Sequence, residues 1–133
     1  MDDSKDILIS DFGNNYHFEM RDIRVFYDTK VYNASMIIAV KNEFLQCVSE
    51  SYVFHEKNLL AFLSKLQNIY DNLSGEAHLE SVEAGKCILH ASANNLGYII
   101  ISGKLEDLSH ENSCKFTIPL DQTCFEGKKL TIK

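Results

Sequence analysis

Tryptophan is missing from this sequence, proline occurs once and glycine only six times in 133 residues. With so little proline and glycine there is no room for a linker, so residues 1–133 read as a single domain. A domain of that length buries about two-thirds of the surface its unfolded chain exposes, enough for one core without covalent staples. Basic residues are thin as well: thirteen Lys and Arg against nineteen Asp and Glu leave a net charge of −6, and the densest basic cluster is Lys128-Lys129. Nucleic-acid binders gather Lys and Arg on one face to meet phosphates, so scattered cations argue against that class of partner. Long apolar runs are also lacking. The run Tyr98–Ile101 is far short of the ~20 residues that cross a bilayer, so no membrane role is expected.

The opening "MDDSKDILISDF" is acidic, without the positive region and apolar stretch of a secretory signal, so the expected compartment is the cytoplasm. In a reducing compartment the four cysteines, at 47, 87, 114 and 124, are not expected to form disulfides. None are spaced as Cys-x-x-Cys, which removes local support for zinc or a redox motif. Cys87 and Cys114 fall on apolar phases of expected strands and read as small hydrophobic filler.

Catalytic signatures are equally scarce. Asp11-Phe12-Gly13 spells a kinase metal-binding triplet, but the chain is too short and lacks the glycine-rich and catalytic loops; the triplet reads as a turn. No nucleophile elbow, phosphate-binding loop or dinucleotide fingerprint occurs. Five histidines, at 17, 55, 78, 90 and 110, include no pair at helical metal-binding spacing. His78 and His90 fall on one face if their strands are neighbours. The carboxylates Glu80, Glu83, Glu106 and Asp107 are scattered, with nothing in the sequence to pair them as acid and base. No cofactor or metal is implied, and the chain reads as noncatalytic.

What is there is pattern. "DILIS" (6–10) and "YHFEMRDIRVFY" (16–27) are rich in β-branched and aromatic residues and flank a turn-like "DFGNN". Residues 34–54 give two more strands meeting at Lys41-Asn42-Glu43, the first apolar enough to be buried on both faces. Leu59, Leu63, Leu66, Tyr70 and Leu73 then recur at steps of three and four, with Leu60, Phe62 and Ile69 widening the stripe. That spacing predicts one long amphipathic helix over about 56–74, with Gly75 in the left-handed position that closes it. After Gly75 the period changes to two, and four strands with short loops follow, around 77–81, 86–93, 98–105 and 113–120. The expected fold is α+β: a mostly antiparallel sheet, the helix packed on one face, and a C-terminal β-meander.

Alternation places His78, Glu80, Ile88, His90, Tyr98, Ile100, Lys104, Lys115 and Thr117 on the sheet face opposite the helix. Apolar and aromatic groups beside charges resemble a mixed interaction surface, with His78, Glu80, His90, Tyr98, Ile100 and Lys115 as candidate partner-binding residues. The other arrangement is that the N-terminal strands form a second layer covering Ile88 and Ile100.

Residues 59–123 carry a family resemblance. Leu59-x-x-Phe62-x-x-x-Leu66, the closing Gly75-x-Ala77-x-Leu79, the glycine-led strand after Gly97 and Asp121-Gln122-Thr123 are together similar to the bacterial WapI-type immunity proteins. Their founding role is inhibition of a wall-associated polymorphic toxin. Members tend to continue past Asp-Gln-Thr into a closing helix, whereas this sequence runs on as "CFEGKKLTIK", with a strand-like alternation of Leu130 and Ile132. The resemblance implies a noncatalytic protein whose partner is a cognate toxin domain. An acidic surface suits a basic protein partner, because opposite fields speed encounter. Two alternatives stay open: a small ligand-binding domain or enzyme with a pocket between helix and sheet lined by Cys87, His90 and a carboxylate, and a homodimer joined through edge strands or the sheet face.

Overall fold

The computed structural model of the chain describes residues 4–13, 15–26, 34–107, 109 and 111–132. Of the features named above, His110, Tyr27, Asn14 and residues 1–3 lie outside that set. Among the described residues the fold is α+β, with eight strands in two four-stranded antiparallel sheets and one α-helix between them in sequence. The first sheet takes β1 (Lys5–Ser10), β2 (His17–Val25), β3 (Ala34–Lys41) and β4 (Gln46–Phe54), in that spatial order. After α1 (Glu56–Asn72), the second takes β5 (Glu76–Glu80), β6 (Cys87–Ala93), β7 (Ile99–Glu106) and β8 (Ser113–Leu120), again neighbour to neighbour. The β content expected as one sheet thus divides in two. The helix marks the break between the two groups of four strands.

Alternation selects the inner face of each sheet. In the first sheet Ile7, Ile9, Phe18, Met20, Met36, Ile38 and Val40 are buried; in the second Ala77, Leu79, Leu89, Ala91, Ile99, Ile101 and Ile118 are. The apolar run in β3 is buried on both faces over most of its length, as its composition predicts. The helix turns Leu59, Phe62, Leu63, Leu66 and Ile69 into the core and packs mainly on β5, with further contact to β6. Its end corrects one expectation. The left-handed residue that stops the helix is Leu73 (φ 52°, ψ 38°), whose N–H donates to the Ile69 carbonyl at 2.7 Å. Gly75 has positive φ too (101°), but it sits two residues on and turns the chain into β5.

All these buried side chains belong to one contiguous core. The sheets are also joined directly: the Tyr52 hydroxyl donates to the Glu106 carbonyl at 2.8 Å, and the Val82 N–H to the Val53 carbonyl at 2.8 Å. The first sheet and the helix therefore share the inner face of the second sheet. Ile88 and Ile100 stay outside that core, so the N-terminal strands do not cover them. After β8 a 3₁₀ turn, Gln122–Phe125, buries Cys124 and Phe125, and the Phe125 ring stacks on Tyr70 of the helix at 5.6 Å. The Asp121 carboxylate begins that turn, accepting from the Thr123 N–H at 2.9 Å. Leu130 and Ile132 then turn inward without forming a strand. Among the described residues no helix is long and apolar enough to cross a membrane.

Candidate binding face

The outer face of the second sheet is built in three rows by the register of its strands. One row sets His78 opposite His90, then Ser102 and Thr117; the next sets Glu80 opposite Ile88, then Lys104 and Lys115; the third sets Glu76 opposite Ser92, then Ile100 and Pro119. Five of the six predicted residues, His78, Glu80, His90, Ile100 and Lys115, thus lie on this one surface. Tyr98 is just outside it, in the turn before β7, held by its N–H donating to the Asn94 side-chain oxygen at 3.0 Å and 40% exposed.

The electrostatics of the face are graded. Its acid is on β5, where Glu76 accepts from His90 at 2.7 Å and Glu80 accepts the Gly85 N–H at 2.9 Å. Its base is on β7 and β8, where Lys104 and Lys115 are directly opposed and Lys104 is offset by Glu106 at 3.5 Å. Lys115 is exposed at the end of that row. His78 and His90 do meet across the strand pair, as their phase predicts, but His90 is engaged by Glu76. Among the described residues no three His, Cys, Asp or Glu side chains converge as metal ligands would.

Beside β8 the face runs into a cleft of about 440 Å³, lined by Tyr16, Asn42, Phe44, Leu45, Lys115 and Pro119 among others. Its wall is the β3–β4 turn of the first sheet. Asn42 organises that turn: its side-chain oxygen accepts from the N–H groups of Phe44 (2.8 Å) and Leu45 (3.1 Å), while its Nδ2 donates to the Thr117 carbonyl (3.2 Å). Phe44 is left 93% exposed. The Tyr16 hydroxyl donates to Glu43, and this bond, with partial burial and the charge of Glu43, raises the phenol above its usual range. Sequence reasoning missed this wall. The signal was present as an Asn-x-Phe turn between two strands, but nothing in it shows that the turn leans on β8.

The pocket foreseen between helix and sheet does not form around the residues suggested for it. Cys87 points inward and is fully buried, while His90 is on the opposite face of the same strand. Burial pushes the Cys87 thiol up to about 12, away from thiolate chemistry. Lys86, buried in the loop before β6, donates to the Asp107 carbonyl at 2.7 Å and lies 3.9 Å from Glu106, which ties the β5–β6 loop to the β7–β8 loop. Comparison with protein-family models, curated proteins and solved structures finds no match.

Proposed function

We propose that this chain is a noncatalytic, cytosolic immunity protein that neutralises a cognate toxin domain by covering it with the outer face of the second sheet and the adjoining cleft. One observation carries the reading. Both packing layers of the molecule lie on the inner face of that sheet, and the outer face is left with two half-buried isoleucines, a histidine pair and opposed lysines. The exposed aromatics Phe44 and Tyr98 stand at its margin, and aromatic residues are enriched at protein interfaces. The likeness of residues 59–123 to WapI-type immunity proteins supports the same reading, and the net charge of −6 favours encounter with a basic toxin domain. An interface of standard size buries on the order of 1,600 Å² in total.

The test is co-expression with the variable C-terminal domain of a large secreted protein encoded directly upstream. The wild-type chain restores growth and binds that domain in vitro. Ile100→Asp and Lys115→Glu, both on the open face, reduce affinity at least tenfold while far-UV circular dichroism and melting temperature stay at wild-type values. Toxicity that persists with the wild-type chain present overturns the reading. Self-association measured by light scattering and abolished by the same substitutions would reassign the face to a homodimer.

A further inference from the structure

The two thiols that are partly open to solvent share a cleft where the sheets meet. Cys47 is on β4, the last strand of the first sheet, paired with Val40; Cys114 is on β8, the last strand of the second, paired with Leu105. Both side chains turn inward against the core without being buried in it. They line one cleft of about 180 Å³ together with Ser49, Tyr52 and Asp107. Among the described residues no other strand lies beyond β4 or β8 in its sheet, so this cleft is the seam between two sheet edges.

We propose that Cys47 and Cys114 form a reversible intramolecular disulfide that clamps these edges, with a low-molecular-weight disulfide such as oxidised glutathione as the oxidant. One protein thiolate attacks a sulfur of the glutathione disulfide, forming a mixed disulfide and releasing one glutathione thiolate. The second protein thiolate attacks the protein sulfur of that adduct and releases the other. Two protein thiols are oxidised, one glutathione disulfide is reduced to two thiols, and the two protons pass from protein to glutathione. Burial first, then the neighbouring Cys47, pushes the Cys114 thiol up to about 11, so exchange quickens as pH rises.

The remaining cysteines are not competitors. Cys87 and Cys124 are buried. Cys87 and Cys114 share a row on the inner face, but Leu105 on β7 stands between them. Two strand spacings come to about 10 Å between backbones, beyond what a disulfide spans. The clamp closes a loop spanning positions 47 to 114, which holds β4, the helix and β5 to β7; cross-linking so long a loop restricts the unfolded chain strongly. It also fixes β4, and with it the β3–β4 turn, against β8. If the outer face is the toxin-binding surface, oxidation stiffens one wall of it, and that consequence alone rests on the functional reading.

The experiment incubates the purified full-length chain with oxidised glutathione, blocks residual thiols, and maps peptides under non-reducing conditions. A Cys47–Cys114 cross-linked peptide in monomeric protein, a melting temperature several degrees above the reduced form, and reversal of both by dithiothreitol are expected. C47S and C114S each abolish the cross-link and the shift, and C124S leaves both unchanged. A persistent glutathione adduct without ring closure, an intermolecular disulfide, a cross-link to Cys87 or Cys124, or no oxidation overturns the proposal. None of these readouts requires a toxin, so the two readings fail separately.

Discussion

Gly103 illustrates how a single residue can be fixed by its neighbours without leaving a mark in the sequence. It lies on the inner face of β7, between Leu89 and Phe116, and a Cβ there would come within 2.2 Å of the Ile88 carbonyl oxygen and 3.0 Å of the Phe116 ring. The backbone oxygen has nowhere to go, so Gly103→Ala is expected to cost about 1–3 kcal/mol by overpacking, read as a fall in urea midpoint. Asp107 is a second case. Its carboxylate gathers the turn between β7 and β8, accepting from Asn112 Nδ2 (2.8 Å) and the Ser109 hydroxyl (2.9 Å), and it is held down at about 2, chiefly by the Asn112 bond. A folded value below the ordinary 3.8 stabilises the native state above about pH 4, and that contribution is lost as pH falls through about 2. In Asp107→Asn the acid limb of the stability curve between those values flattens relative to wild type. In the sequence Asp107 was one of several unpaired carboxylates, because the groups that define it come from the far side of its own turn.

At the scale of elements, periodicity carried most of the information, since each strand and the helix must present one apolar face. The helix was legible because Leu59, Phe62, Leu63, Leu66 and Ile69 make a stripe that only a period of 3.6 aligns. Leu66→Ala opens a cavity among residues from the helix and sheet and is expected to cost about 2–5 kcal/mol, measured by chemical denaturation. The stop was misread for a physical reason. Leu73 continues the stripe by spacing, yet the chain must reverse before β5, and the left-handed turn is taken by a leucine that no propensity rule selects. The motif residues behave similarly. Phe62, Leu66, Ala77 and Leu79 are core, Gly75 and Gly97 sit at positive φ, and Asp121 starts a 3₁₀ turn, so the resemblance rests on residues that build the fold.

For the molecule as a whole, the pairing of layers was the part a sequence could not display. Alternation says which side chains share a face but not which face meets another, so the outer row of His78 and His90 could be predicted while its lack of cover could not. What decides the matter is the seam between the sheets, where Tyr52 reaches from β4 to the end of β7. Only 4% of Tyr52 is exposed, and its hydroxyl donates to the Glu106 carbonyl at 2.8 Å. Burial, and secondarily the nearby Cys87, pushes the phenol above its usual range, because an anion there would lose its water. A folded value raised above the unfolded one means that the hydroxyl's contribution is complete below about pH 10 and disappears as pH rises toward the folded value. Tyr52→Phe therefore lowers stability at neutral pH by about 0.5–1.5 kcal/mol, the net worth of one hydrogen bond, and removes the bond from β4 to the Glu106 carbonyl at the seam. The same variant loses less than wild type between neutral and strongly alkaline solution, where the wild-type phenol must ionise on unfolding. Denaturation midpoints of the two proteins should converge above pH 10, and parallel curves across that range would show that the sheets are held together elsewhere.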